Sequence, residues 1–212
     1  MRARLPVPPT KSALLRISRR AVFLEQGQAM LEKKRDLLTR LVYDRLKQYR
    51  ALRAEAVAEL AEAYRWLGIV HMRMGGQMLR QAAVGLRPAV AIRILARSSV
   101  GVEYPSVSVE PLPLQPVGLM WTDPSFDEAR LRLRELILTL ARLGEAENAL
   151  WRLLAASRKT RMRVNALRQN IIPRYRATVR YIRSALEEDE RNTLFQAKML
   201  WHGVAPMRRA EP

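Results

Sequence analysis

The side chains able to do chemistry in this chain are few and scattered. His71 and His202 are the only two histidines in 212 residues, and there is no cysteine. A multi-histidine metal site, disulfides and thiolate catalysis are thereby ruled out as readings. His71 falls within a long helical pattern, where a packed or exposed histidine is the ordinary case, and no nucleophile–base pair accompanies it. The glycines form no G-x-x-x-x-G-K-[ST] or G-x-G-x-x-G arrangement that could cradle phosphates, and "RMGGQM" at 73–78 is too short for either. The acids "EEDE" at 187–190 read as a solvated charge run. The expectation is therefore no catalytic residue, no cofactor and no metal; if the protein serves an enzyme, another chain does the chemistry.

What remains is charge. Lys and Arg number 38 against 20 Asp and Glu, a formal net charge of +18. From Arg152 to Arg183 there are ten basic residues and no acid. Such a surplus implies an anionic partner: nucleic acid, an anionic membrane surface, or acidic protein surfaces. Aromatic residues make up only 6%, a thin set for stacking bases, and no known nucleic-acid motif is present. No window reaches the roughly 20 apolar residues of a membrane span, and the opening "MRARLPVPPTK" lacks the apolar stretch of a secretory signal. The expected location is the cytoplasm.

The elements that would position this charge are long. Residues 10–74 contain no proline, and Thr10 can cap a helix whose apolar residues recur at Leu14, Ile17, Ala21, Leu24, Leu31, Leu38 and Val42. That 3,4 spacing is a coiled-coil seam. Beyond Val42 the phase shifts, through Leu46, Tyr49, Ala56, Leu60, Ala63 and Leu67, and "MGG" at 74–76 predicts an end or a bend. Residues 75–124 are proline-rich and contain two alternating stretches, around Val90, Ile92 and Ile94 and across 100–110, which predict a β-hairpin. Residues 125–201 form the second helix, with Ser125 as expected N-cap and a seam through Leu133, Leu136, Leu140, Leu143, Leu150, Leu154, Val164, Ile171, Tyr175, Ile182 and Ala185. Glu147, Ser157, Arg161 and Arg168 fall on that seam and are polar. Neither helix can bury its stripe alone, so the fold expected is mainly α: a long antiparallel two-helix coiled coil with a short β-hairpin-containing middle segment. Pro173 inside the second helix predicts a bend, lying opposite Gly27, with Asp36 or Glu32 pairing across to Arg161 or Arg168.

Four stretches, in order, resemble one family. "PTKSALL" at 9–15 (Pro9, Thr10, Lys11) is similar to its opening. "LEKKRDLL" at 31–38 carries Lys34, Arg35 and Asp36, and "SVGVEYP" at 99–105 is similar to the segment after its first helix. "RMRVNALRQNIIPRYRATVRYIRSALEEDER" at 161–191 carries Arg161, Arg163, Val164, Asn165, Ala166, Leu167 and Pro173. Together they resemble the D subunits of the V-type/A-type rotary ATPases; Arg168 departs from the pattern, standing where the family usually has an acid.

The resemblance implies a noncatalytic rotor shaft of the central stalk. It would couple ATP hydrolysis or synthesis in a catalytic hexamer to ion translocation by a membrane ring. The implied partners are the catalytic and nucleotide-binding subunits of the hexamer, a small globular central-stalk subunit and a funnel-shaped subunit above the ring, with no nucleic acid and no direct membrane insertion. The motif residues named above are then candidate interface positions, and the location is peripheral to the membrane as part of the complex. The rival expectation, from charge alone, is a basic coiled-coil protein that binds nucleic acid or an anionic membrane surface.

Overall fold

A computed structural model describes residues 4–117 and 122–203. Helix α1 spans Lys11–Val84, strands β1 and β2 span Val90–Ser99 and Val102–Pro111, and helix α2 spans Pro124–Ala166. A five-residue π-turn, Leu167–Ile171, then leads into α3, Ile172–Gly203. The chain is mainly helical, with one antiparallel hairpin between the long helical segments, as the periodicities predict.

Each boundary has a local cause. Thr10 caps α1: its Oγ1 accepts from the Ala13 amide at 3.2 Å, and its carbonyl accepts from Leu14 at 2.9 Å. Gly75 breaks α1 with φ 75° and ψ 158°, a conformation that costs glycine little and an L side chain much. A Cβ at the adjacent Gly76 would meet His71 Cε1 at 2.8 Å, a contact the exposed imidazole relieves by rotating away. The helix resumes past this break to Val84, a stretch the "MGG" signal did not foretell. The N-cap of α2 is Asp123 rather than Ser125. The Asp123 carboxylate accepts from the Ser125 amide at 3.1 Å and from the Ser125 hydroxyl, and Pro124 takes the first helical position, where no donor is missed.

The β1–β2 ladder pairs Val90 with Pro111 through Ser99 with Val102. Its turn is Val100–Gly101, with φ of 53° and 72°. Two consecutive positive φ values make a type I′ turn, which matches the strand twist, but a β-branched residue is a strained choice for the first position.

The chain forms two compact units. In the first, residues 1–33 and 160–212, Ala13, Ile17 and Ile182 are buried together, with Val7, Leu14, Tyr175, Val179 and Leu186 packed around them. In the second, residues 34–159, Val70, Phe126 and Ala129 form a core covered by Trp66, Met74, Leu79, Ala82, Leu86 and Val117. Within each unit the helices run antiparallel. Ile17 with Ile182, Lys11 with Glu190 and Val70 with Ala129 all have numbers summing to about 200.

The seam differs from the sequence expectation at several positions. Leu38 and Leu150 are buried and Leu24, Leu31 and Leu154 half-buried, but Leu60, Leu140 and Ile171 are exposed. Thr139, Ala146, Leu153 and Thr160 are buried in place of Leu140, Glu147, Leu154 and Arg161. The repeat is continuous but runs one residue earlier at alternate positions. Alanine and threonine fill it because a close helix pair admits small side chains. Glu147, Arg161 and Arg168, apparent interruptions, therefore point outward.

Candidate functional site

Each motif residue has a place in one unit. In the first, Thr10 is the cap described above and Lys11 reaches Glu190 Oε1 at 2.9 Å. Hydrogen bonding and charge from Glu190 hold the Lys11 ammonium above its ordinary pKa. Pro9 is exposed just before the cap. Of the run at 161–167, only Val164 enters the core, at 1% exposure. Arg161, Arg163, Asn165 and Ala166 face outward, and Leu167 is half-buried at the start of the π-turn.

Pro173 lies in the first turn of α3, directly after the π-turn. There the Ile172 amide donates to the Leu167 carbonyl, five residues back instead of four. The widened turn is the expected accommodation for a residue with no N–H whose ring crowds the carbonyl of Gln169. It also inserts one residue into the repeat, which is why Ile172 is 4% exposed and Ile171 37%. Gly27 plays no part in this, since a Cβ added there meets nothing within 4 Å. Besides Lys11 to Glu190, a cross-helix ion pair of this unit joins Arg176 to Glu25, at 2.7 Å, rather than involving Glu32. Glu32 Oε1 accepts from Gln28 at 3.1 Å on its own helix.

In the second unit Arg35 Nη2 pairs with its neighbour Asp36 at 2.8 Å. Lys34 does something different: its Nζ lies 3.5 Å from where a Cβ at Gly101 would stand, at the tip of the hairpin. Two motif stretches distant in sequence thus meet. Strand β2 is clasped over residues 103–107. Arg45 Nη2 donates to the Tyr104 hydroxyl at 3.3 Å and its guanidinium stands 5.7 Å from the ring centre. Arg152 Nη1 donates to the Glu103 carbonyl at 3.0 Å. Glu145 accepts from the Ser106 hydroxyl at 3.2 Å and from the Val107 amide at 2.9 Å. Tyr104 is 4% exposed, so its hydroxyl needs the partner that Arg45 supplies. Sequence reading missed Arg45, Glu145 and Arg152. Only "SVGVEYP" pointed here, and it named one side of the contact.

Among the described residues no group of His, Asp and Glu side chains is placed to hold a metal ion, and no helix is long and apolar enough to cross a membrane. Fold and site together define a mainly helical protein with a clasped hairpin and an arginine-rich exterior.

Comparison with known proteins narrows this class. Residues 13–201 match the family model for the ATP synthase D subunit. The chain is 32% identical to the V-type ATP synthase D subunit of Thermotoga neapolitana, over 95% of this chain and all of that one. It is 31% identical to the A-type ATP synthase D subunit of Pyrococcus furiosus, over 92% and 94% of the two chains. A third relative, the A-type ATP synthase D subunit of Thermococcus sibiricus, is 33% identical over 92% of each. The chain belongs to the D-subunit family of the V-type/A-type ATP synthases.

Proposed function

We propose that this protein is the noncatalytic rotor shaft in the central stalk of a V-type/A-type ATPase. Its paired helices would turn within the catalytic hexamer and its hairpin-bearing part would meet the stalk partners below. The observation that carries the reading is the exterior of the first unit. Over a packed apolar seam, Arg161, Arg163, Arg168, Arg174, Arg180 and Arg183 are all exposed and distributed around the helix. Cations spread in this way can meet acidic groups on successive surrounding subunits without locking one orientation, because an exposed ion pair contributes only about 0–1 kcal/mol. Long arginine stems also cover apolar surface while their heads remain hydrated.

The partners that follow are the catalytic and nucleotide-binding subunits, a small globular stalk subunit and a funnel-shaped subunit above the membrane ring. Nucleotide chemistry belongs to the hexamer and ion passage to the membrane sector. The test is affinity isolation of the tagged chain from its native cell. The shaft reading expects the ATPase subunits in the eluate and no nucleotide turnover by the purified chain. Recovery of nucleic acid alone, with a steep salt dependence, would replace it with the rival reading.

A further inference from the structure

Ahead of α1, residues 4–10 fold back onto the first unit and run along α3. The Leu5 amide donates to the Thr178 hydroxyl at 3.1 Å, and the Arg4 guanidinium stands 4.4 Å from the centre of the Tyr181 ring. Val7 packs on the core of Ala13, Ile17 and Ile182. Thr178 is 1% exposed, and its hydroxyl donates in turn to the Arg174 carbonyl at 2.8 Å, so it is satisfied as donor and as acceptor. The Thr10 amide donates to the Pro8 carbonyl at 3.0 Å and closes the turn into α1. From Leu5 at Thr178 to Lys11 at Glu190, the segment advances in the same direction as α3. An extended chain rising about 3.1 Å per residue covers that stretch in about six residues, and a helix rising about 1.5 Å covers it in about twelve. Pro6, Pro8 and Pro9 favour such an extended chain, because each fixes φ and brings no backbone donor.

We infer that residues 4–10 are a strap that fastens α1 to α3 along the flank opposite their ion pairs. At about 100° per residue, Thr178 and Tyr181 fall to one side of Ile182 on α3. Arg176 and Glu190, which pair with Glu25 and Lys11 of α1, fall to the other. The first unit is thus held by charge on one flank and by extended chain on the other. The two fastenings differ in kind. Exposed ion pairs weaken with salt, whereas the strap rests on apolar burial, a ring contact and a buried hydroxyl. The three prolines reduce the conformational entropy that the segment loses on docking, so a few contacts hold it. Joined to α1 through Thr10 and fastened to α3 at Thr178, the strap opposes sliding and untwisting of the two helices. That this serves the transmission of torque rests on the proposed function; the fastening does not.

The test uses the purified full-length chain. Trypsin cleavage of the Arg4–Leu5 bond reads release of the strap, and amide exchange reads the helices beneath it. Thr178→Val removes the acceptor for Leu5, and Val7→Ser removes the apolar anchor without altering either helix. Each should speed cleavage at Arg4–Leu5 about tenfold, and amide exchange across 13–17 and 178–186 likewise, with exchange across 34–159 unchanged. Thr178→Ser keeps the hydroxyl and should be cut at the wild-type rate. Cleavage of Thr178→Val at the wild-type rate overturns the inference, as does Thr178→Ser cut as fast as Thr178→Val. Faster exchange in both units also overturns it, because general destabilisation then replaces release of the strap. The shaft reading fails separately: affinity isolation without ATPase subunits would refute it and leave these rates as they are.

Discussion

Arg176 Nε lies 2.7 Å from Glu25 Oε1, joining α3 to α1 across the first unit. The guanidinium donates a hydrogen bond to Glu25, and that bond and the carboxylate's counter-charge hold Arg176 above its ordinary pKa. Both side chains are substantially exposed, so the pair marks register more than it stabilises. Glu25→Gln should lower the melting temperature slightly in dilute buffer. The difference from wild type should vanish near about 1 M salt, where the screening length is about 3 Å. A salt-independent loss would show that Glu25 acts through packing instead.

The seam assignment yields opposite expectations for two leucines. Leu38 is fully buried, and Leu38→Ala should cost about 2–5 kcal/mol in urea unfolding. Leu140 is 44% exposed, and Leu140→Ala should stay within about 0.5 kcal/mol. Equal costs would refute the one-residue shift of the repeat.

Replacing Pro173 with alanine distinguishes an accommodated proline from a strained one. In a regular helix interior the change would gain about 3 kcal/mol. Here the π-turn already removes the conflict, so Pro173→Ala should alter stability by less than about 1 kcal/mol. A gain near the larger figure, read by denaturant unfolding, would show residual strain.

Asp123 supplies a pH-dependent contribution. Hydrogen bonds from the Ser125 hydroxyl and amide, then from Arg73, hold its carboxyl below the ordinary value of 3.8. A depressed folded-state pKa contributes stability that is present above that value and is lost as pH falls below it. Asp123→Asn should be less stable than wild type at neutral pH, with the gap closing below about pH 3.8. Acid titration of the two proteins by circular dichroism checks this.

Val100 sits at φ 53° in the hairpin turn, where an L side chain costs about 1–2 kcal/mol. Val100→Asn should recover about 1 kcal/mol and slow amide exchange across β1 and β2. Unchanged exchange would mean the clasp, not the turn, limits opening of the hairpin.

The long helices and the hairpin were legible because each has a strong period bounded by Thr10, by glycine or by proline. The fine phase of the seam was not. Leu140 and Leu154 attract a heptad because leucine is apolar, whereas Thr139 and Thr160 look neutral and are buried only because a facing helix comes close. Ile171 was misplaced because no sequence pattern announces a π-turn, although Pro173 marked the right neighbourhood. The clasp of Arg45, Glu145 and Arg152 escaped because arginine and glutamate on a helix read as solvated surface. Only the folded chain shows Tyr104 and the β2 backbone lying beside them.

The π-turn at Leu167–Ile171 bears on how this chain can tolerate length change. An ordinary helix advances by about 100° per residue, so losing one residue would swing everything beyond it off its partner. At this turn one residue is already in excess of the regular repeat. Deleting Pro173, the residue the turn accommodates, would return the backbone to an unbroken α-helix while leaving Ile182 on its present face. A one-residue deletion elsewhere in α3, ahead of Ile182, would carry that side chain out of its contact with Ile17. The turn is thus a place where the gene can lose a codon without turning the helix inside out.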